Sequence, residues 1–196
     1  MSTTASDAVS ARPSPARQRL LDAATELFYG EGIHAVGVDR IIERAGVTRA
    51  TMYKQFQGKE GLVLAYLRGE DARLRELFAQ AGAASSDPDA LLELVIAGIE
   101  QDIRERHTRG CPFINAAAEY PDQGAVRDLI AGHREWFRGT LEQLAGGAGL
   151  TEPAEAAASL VLLRDAALVG GYLDGQDRVA PAFARTARGV LTGHRA

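Results

Sequence analysis

Residues 37–60 read GVDRIIERAGVTRATMYKQFQGKE, and this stretch predicts two short helices joined by one tight turn. Apolar residues recur at helical spacing in its first half and line one face: Val38, Ile41, Ile42 and Ala45. Gly46 follows where the chain must reverse, and glycine adopts a positive φ there without strain. Thr48 is placed to cap the next helix, because its hydroxyl can accept a hydrogen bond from a free backbone N–H. The stretch therefore predicts a helix-turn-helix.

The second helix of this pair separates apolar from polar side chains. Met52 and Phe56 are predicted to face inward. The outward set comprises Arg49, Ala50, Thr51, Lys54 and Gln55, with Tyr53 at the edge. A second helix with such a face can enter the major groove of DNA. The same pattern is also found on solvated surface helices, and that alternative stays open on the pattern alone.

The outward side chains have chemistry that suits duplex DNA. Arg49 can make a bidentate contact with guanine, Ala50 can meet a thymine methyl group, and Gln55 can read adenine. Hydroxyl and cationic side chains suit phosphates, which position a protein without reading sequence. The predicted phosphate contacts are Thr48, Thr51, Tyr53, Lys54 and Lys59, and Arg40 completes the predicted DNA-binding set.

The residues around this motif resemble a known family. The runs AATELFYGEGIHAVGVDRII and AGVTRATMYKQFQGKEGL are similar to the signature of TetR-family transcriptional repressors, over about residues 15–66. Val36 departs from the common pattern, which often has threonine or serine at the start of helix 2, and Gly58 replaces a frequent polar cap of helix 4. The resemblance implies a homodimer on a palindromic operator in double-stranded DNA, with a small-molecule effector in the C-terminal domain.

Composition limits the classes of protein to which the chain can belong. The 196 residues suffice for one or two domains, and abundant alanine and aliphatic residues favour an all-α fold of about nine helices. No apolar segment is expected to span a membrane and no signal peptide is recognised, so a cytoplasmic protein without a membrane partner is predicted. The single Cys111 excludes an internal disulfide. The scattered His34, His107, His133 and His194 lack zinc-ligand spacing, and neither a metal nor a cofactor is predicted.

Charge is distributed unevenly along the chain. The net charge is −4, yet residues 11–60 hold eight basic and six acidic residues, a local charge of +2. The remainder of the chain therefore carries −6, and the only two lysines, Lys54 and Lys59, both lie in the positive stretch. This asymmetry is typical of a local DNA footprint on an acidic protein.

The domain organisation follows from breaks in the helical pattern. We predict a disordered tail at 1–13, a helix-turn-helix DNA-binding domain at 14–60, a connecting helix 4 at 61–81, and a ligand-binding and dimerisation domain at 87–196. Gly82–Pro88 is predicted to be a loop. Helix 5, with its run LLELVIAGI, is expected to be deeply buried, and the charged run Asp102–Arg109 is expected to be solvated.

The resemblance implies a ligand pocket among helices 5 to 8. Its candidate residues are Cys111, Phe113, Ile114, Asn115, Glu119, His133, Arg134, Trp136, Phe137 and Tyr172. The apolar side chains would form the walls of the pocket, and the few polar groups would orient a bound ligand. Aromatic residues at helical spacing also form plain core, and that alternative stays open. Cys111 is interpreted as a packing or pocket residue rather than a redox sensor, because no resolving cysteine exists.

The run ASLVLLRDAALVGGYL predicts a helix that is apolar almost all round, more than one face of a small protein needs. The resemblance implies that helices 8 and 9 pair with their copies across a two-fold axis. The candidate interface residues are Leu160, Leu163, Ala167, Gly170, Phe183, Ala187 and Val190. A helix buried within one protomer is the alternative.

The leading hypothesis is a homodimeric repressor that an effector releases from DNA. One alternative is a DNA-binding regulator that needs no ligand, or an activator. Another is a helical small-molecule-binding protein that does not bind DNA. The sequence shows no nucleophile–base pair and no phosphate-binding glycine loop, so an enzyme is not predicted.

Overall fold

The computed structural model describes residues 14–195, so the predicted disordered tail at 1–13 lies outside the described residues, as does Ala196. The described part is all-α, as its composition predicts, with nine α-helices and one π-helical turn. The helices are α1 Pro15–Glu31, α2 Val38–Ala45, α3 Arg49–Phe56, α4 Lys59–Ala84, α5 Pro88–Gln101, α6 Pro112–Glu119, α7 Ala125–Gly147, α8 Pro153–Asp174 and α9 Gln176–Gly193, and the π-helical turn is Asp102–Arg106. We call α1–α3 the head and α5–α9 the body.

Helix α1 forms the back of the head. The Ser14 hydroxyl accepts a hydrogen bond from the backbone N–H of Arg17 at 3.2 Å, and Pro15 occupies the first turn. These are the residues that favour a helix start, because proline lacks the N–H that would be unpaired there. The helix buries one apolar stripe against α2, α3 and α4: Leu20, Ala23, Ala24, Leu27 and Phe28.

Helix α4 is longer than the sequence pattern predicts. It continues through Gly82 to Ala84, so the connection to α5 is only the segment 85–87 rather than the predicted loop Gly82–Pro88. A glycine in a helix costs about 1 kcal/mol relative to alanine and does not by itself end the helix. The break is at Asp87, which caps α5 by accepting from the Asp89 N–H at 3.1 Å, ahead of Pro88.

Helix α5 buries one face only, which corrects the expectation of deep burial. Leu92, Ile96 and Ile99 are buried, whereas Leu94 is 49% exposed. The buried face packs against α7 and α9. Leu94 and Val95 instead line a cavity that separates α5 from α4.

The charged run that follows α5 is only partly a solvated surface, which is a second correction. Arg104, Glu105, Arg106 and Thr108 are exposed, whereas Ile103 and His107 are buried. The backbone N–H of His107 bonds the Asp102 carbonyl at 2.9 Å, a spacing of five residues that defines the π-helical turn. This spacing places His107 inside the protein, where its ring is 6% exposed. Arg106 reaches α4 and donates to Glu70 at 2.9 Å. The run therefore ties the body to α4.

Helix α8 passes a length and hydropathy test for a membrane span, contrary to the expectation from the sequence. Its 22 residues include a window with a mean hydropathy of 1.4. The core helix of a globular protein passes the same test, and α8 packs between α7 and α9 with 44% of that window buried.

Candidate nucleic-acid interface and effector cavity

The turn between α2 and α3 has the geometry that the sequence predicts. Gly46 adopts the left-handed conformation with φ of 62°, and its N–H bonds the carbonyls at the end of α2. The Thr48 hydroxyl accepts from the Thr51 N–H at 3.2 Å. A left-handed glycine and a threonine cap together close one helix and start the next within three residues.

Two arginines on α1 brace the pair from behind. Arg17 Nη1 donates to the Gln55 carbonyl at 2.6 Å, and its guanidinium lies 4.2 Å from the centroid of the Phe56 ring. Arg19 Nε donates to the Ala45 carbonyl at 3.0 Å. These bonds satisfy carbonyls at the ends of α2 and α3, which have no partner inside their own helices. The sequence interpretation missed this role, which depends on contacts 38 and 26 residues apart.

Helix α3 presents a polar face to solvent. Met52 and Phe56 are buried, as predicted. The exposed residues are Thr48, Arg49, Ala50, Tyr53 and Lys54, while Thr51 and Gln55 are half-buried. The predicted DNA-binding residues of α3 therefore lie on the side of the helix away from the head's core.

Two arginines near this face are paired with acids of the head. Arg49 forms an ion pair with Asp39, and Arg40 forms one with Glu31. All four side chains are well exposed, so water screens these pairs and each contributes little stability. DNA phosphates or bases can therefore compete with the two carboxylates for the arginines.

The start of α4 is built on glycine. Gly58 precedes it with φ of 133° and provides no side-chain cap. At Gly61, an added methyl group would lie 1.9 Å from the Phe56 carbonyl oxygen. Only glycine allows this close approach of α4 to α3. Lys59 in the first turn lies with Nζ 3.5 Å from the His34 carbonyl, and partial burial lowers its pKa while Glu119 opposes that shift.

The body holds a cavity of about 410 Å³ against α4. Its apolar wall includes Leu74, Leu77, Phe78, Val95, Ile99, Phe113 and Phe137. Its charged residues are Glu70, Arg73, Asp102, Glu105, Arg106 and Arg164, with His107 beside them. A mostly apolar cavity of this size with a few polar groups is typical of a small-molecule site.

The predicted pocket residues divide among three places. Phe113 and Phe137 line the cavity, and Trp136 lines a neighbouring cleft of about 340 Å³. A third cleft of about 260 Å³, where the body meets α1, is lined by Asn115, Glu119 and Tyr172. The remaining candidates do not line these cavities: Cys111 and His133 are buried, Ile114 is half-buried, and Arg134 pairs with Asp165 at 2.8 Å.

A charged cluster closes one end of the cavity. His107 Nδ1 contacts Asp102 Oδ2 at 2.5 Å, and His107 Nε2 lies 3.5 Å from Glu70 Oε2. Burial alone would raise the pKa of Glu70, but His107, Arg106 and Arg73 outweigh it and lower the pKa to about 2. Burial alone would lower the pKa of His107, but Asp102 and Glu70 raise it.

His133 links α7 to α4 behind the cavity wall. Its Nδ1 lies 2.8 Å from Asp71 Oδ1, and its ring stacks on Phe113 with centroids 3.7 Å apart. Burial lowers its pKa, opposed by the bond to Asp71 and assisted by the nearby charge of Arg164. The His133 ring therefore packs against Phe113 behind the wall of the cavity and does not line it.

Helix α6 and the loop before it connect the body to the head. The Glu119 carboxylate accepts hydrogen bonds from the backbone N–H groups of Ile33 at 2.8 Å and His34 at 2.5 Å. The Tyr29 hydroxyl accepts from the Arg109 N–H at 2.8 Å and donates to the Gly110 carbonyl at 3.0 Å. We call these contacts the α6 latch.

Helices α8 and α9 leave an apolar strip uncovered. Several interface candidates, namely Leu160, Ala167, Phe183 and Ala187, are buried within the protomer, and Leu163, Gly170 and Val190 are half-buried. Exposed aliphatic residues of α8 include Leu162, Ala166, Val169 and Leu173, with Leu162 68% and Leu173 70% exposed. Their spacing of four, three and four residues places them on one face.

A braced helix-turn-helix with an exposed polar second helix defines the class of helix-turn-helix DNA-binding proteins. The family model described as bacterial regulatory proteins, tetR family, matches residues 20–66, from α1 into α4. A TetR-family transcriptional regulator from Streptomyces coelicolor is 42% identical with a TM-score of 0.88, over 92% of this chain and 96% of that one. The chain belongs to the TetR family: it is a DNA-binding transcriptional regulator and not an enzyme.

Curated relatives match over shorter segments. An HTH-type transcriptional activator from Mycolicibacterium smegmatis is 46% identical over 52 residues, which are 26% of this chain and 24% of that protein. An HTH-type transcriptional repressor from Rhodococcus jostii is 31% identical over 118 residues, 60% of this chain and 53% of that protein. The chain thus aligns with a quarter to about half of the length of these relatives.

Proposed function

We propose that this chain is a homodimeric repressor that binds a palindromic operator and leaves it when a small-molecule effector enters the body cavity. The single observation that carries the proposal is the position of α4. This helix begins under the head at Lys59 and later forms a wall of the 410 Å³ cavity through Leu74, Leu77 and Phe78. One rigid element therefore contacts both proposed sites.

The head would read DNA through α3. Arg49 and Ala50 are exposed at the start of the helix and would make the base contacts in the major groove. Thr48, Tyr53 and Lys54 are exposed beside them and would hold phosphates. The N-terminus of α4 adds a partial positive charge, which favours a phosphate near Lys59.

The exposed strip of α8 supports the homodimer. Leu162, Val169 and Leu173 are large apolar residues in water, and a second copy of the same strip would cover them. A two-fold pair of heads doubles the contacts to DNA and reads half-sites roughly one helical turn, 34–36 Å, apart or a multiple of it. Such a dimer explains why a single short reading helix suffices in each protomer.

Two contact routes run from the cavity to the head. The first is α4 itself. The second is α6, because Phe113 at its start lines the cavity and Glu119 at its end holds the turn after α1. An effector that fits better when α4 or α6 shifts would favour a state in which the heads lie at the wrong separation. A typical coupling of about 1–3 kcal/mol would weaken operator binding roughly 5- to 150-fold.

Repression needs only that the dimer covers its operator, which the proposed geometry supplies. The relatives include both an activator and a repressor, so the sign of regulation is tested directly. Transcription in vitro from a promoter that contains the selected operator should fall when the protein is added. Transcription that rises would support an activator instead, and binding that no effector alters would support a regulator without a ligand.

A further inference from the structure

One buried guanidinium in the body cavity lacks adequate partners. The Arg164 side chain is 7% exposed and lies in the buried stripe of α8, between Leu160 and Leu168. It lines the cavity beside Phe137, and its guanidinium carbon lies 5.0 Å from the centroid of that ring. A buried charge is costly unless it is paired and hydrogen-bonded, because it has lost its water.

Asp165, the neighbouring acid, does not pair closely with the Arg164 guanidinium. Within residues 14–195, Arg164 makes no hydrogen bond, and its ion contact is Nη1 to Asp165 Oδ1 at 3.6 Å. Asp165 is the next residue on the same helix, and adjacent helical residues do not face each other, so a bidentate pair is out of reach. Arg134 already binds the other oxygen of Asp165 at 2.8 Å.

The remaining acids of the cavity are engaged elsewhere. Glu70 accepts from Arg106 at 2.9 Å, and Asp102 contacts His107 at 2.5 Å. Glu105 lies at the exposed rim and accepts from Gln101. A guanidinium carries five N–H donors, so the donors of Arg164 remain available to a guest.

We propose that the cavity binds an apolar monocarboxylate, with the carboxylate on Arg164 and the hydrocarbon part along Leu77, Phe78 and Val95. The planar guanidinium fits a carboxylate through two parallel hydrogen bonds, and a water-poor wall strengthens them. Arg73 also lines the cavity, but its side chain is 30% exposed and lies 3.5 Å from each of two acids, Glu70 and Asp102. Arg164 is therefore the buried guanidinium that selects one acid group, and the apolar wall selects the rest of the molecule. This inference rests on the proposed effector site and names the ligand class for it.

Two matched ligand pairs test the class: decanoate with 1-decanol, and 4-phenylbutanoate with 4-phenylbutanol, with the acids below their micelle concentrations and the alcohols below their solubility limits. Binding to the full-length protein is measured at pH 7.5 by calorimetry and by the fluorescence of Trp136, the only tryptophan. The ring of Trp136 lies 5.5 Å from that of Phe78 in the cavity wall. We expect at least one acid to bind roughly tenfold or more tightly than its alcohol, because a charge-assisted bond replaces a neutral one. Equal affinities in both pairs, or no binding by either acid, would overturn the inference.

Two variants then test whether the preference for the acid over the alcohol comes from Arg164. Arg164→Met keeps an unbranched stem but removes the charged group, and it should reduce the affinity of the acid to that of the alcohol, while the alcohol binds as before. Arg138→Gln is the control, because it removes the same charge from an exposed position on α7 that lines none of the three cavities. A similar loss in both variants would show a general effect of charge and would contradict a contact with Arg164. Thermal unfolding confirms that each variant is folded. The ratio of acid affinity to alcohol affinity in the unmodified protein tests the ligand class without any variant.

The outcome is separable from that of the proposed function. DNA release is measured on the same samples by fluorescence anisotropy. An acid that binds through Arg164 without releasing DNA would contradict the effector mechanism and leave the ligand class intact. Release by a cationic or neutral compound that is unaffected by Arg164→Met would overturn the ligand class and leave the effector mechanism intact.

Discussion

The Glu119 carboxylate at the end of α6 accepts a hydrogen bond from the Ile33 N–H at 2.8 Å, across 86 residues of sequence. It also accepts from the next backbone N–H, that of His34. These two donors follow the end of α1, where the chain turns toward α2. One carboxylate of the body therefore holds the turn from which the helix-turn-helix begins.

Removal of this carboxylate should loosen the head from the body. Glu119→Ala leaves two backbone N–H groups without their acceptor, and we expect a loss of about 1–3 kcal/mol in the free energy of unfolding. Urea unfolding measures the loss, and faster hydrogen exchange at Ile33 and His34 locates it. Glu142→Gln, an exposed carboxylate on α7, is the control and should change neither. Unchanged exchange at both amides would show that the latch does not hold the turn.

The contrast between Thr48 and Glu119 shows what a sequence can and cannot predict. The cap at Thr48, the left-handed Gly46 and the buried Met52 depend on neighbours within a few residues, and all are readable from spacing. Glu119 is predicted from the sequence to lie in the ligand pocket, but its hydrogen-bond partners are Ile33 and His34, in the turn that follows α1. No local pattern encodes that pairing.

The prediction that the charged run after α5 is solvated was incomplete for a similar reason. A charged stretch normally faces solvent, yet the π-helical turn and the distant Glu70 bring His107 inside. The burial of Arg164, by contrast, was predictable from the sequence. Arg164 stands four residues from both Leu160 and Leu168, so the helical period that buries those leucines also buries the arginine.

The close approach of α3 and α4 predicts a specific requirement for glycine. Gly61→Ala would place a methyl group 1.9 Å from the Phe56 carbonyl oxygen, so the backbone must shift. We expect a loss of about 1–3 kcal/mol in the free energy of unfolding, as for other overpacked sites. Gly69→Ala on the same helix is the matched control, because no atom lies within 4 Å of its added methyl group. That control should be stabilised by about 0.5–1 kcal/mol. Equal effects of the two changes would contradict the packing argument.

The cluster at His107 predicts a pH dependence. The pKa of His107 is raised above 6.5 in the folded protein, so its stabilising contribution is complete below that value and is lost as pH rises through the raised pKa. The pKa of Glu70 is lowered to about 2, so its contribution is present above 4.5 and is lost as pH falls toward 2.

The measurement compares the unmodified protein with His107→Gln from pH 5 to pH 9. The difference in unfolding free energy should be largest at the acid end and should shrink as pH rises. The comparison also removes the opposing effect of His133, whose lowered pKa costs stability as pH falls below 6.5 in both proteins. A difference that is independent of pH would show that His107 is not charged in the fold.

The exposed strip of α8 predicts the oligomeric state. Leu162→Glu places a charge on the proposed interface and should convert dimers to monomers in sedimentation velocity, because a buried unpaired charge is costly. Leu94→Glu on α5 is the matched control, since Leu94 is a comparably exposed leucine outside the strip. Dimers that persist in Leu162→Glu would place the interface elsewhere.

Arg49 predicts a change in sequence preference. It is 57% exposed, and within residues 14–195 its ion-pair partner is Asp39. Arg49→Ala should reduce discrimination by about 1–3 kcal/mol at one base pair per half-site. Lys59→Ala should instead weaken binding to all DNA sequences alike and reduce the slope of log affinity against log salt concentration by about one. Competition binding over a range of salt separates the two effects. An unchanged preference in Arg49→Ala would remove this residue from base reading.

The most direct measurement is the selection of bound fragments from a random duplex library by the purified protein at low salt. We expect the recovered sequences to share an inverted repeat with half-site centres roughly 34–36 Å apart, or a multiple of it, along the helix axis. We also expect Arg49→Ala to recover repeats altered at one position in each half. Recovery of no duplex, or of sequences without two-fold symmetry, would contradict a pair of α3 helices on DNA.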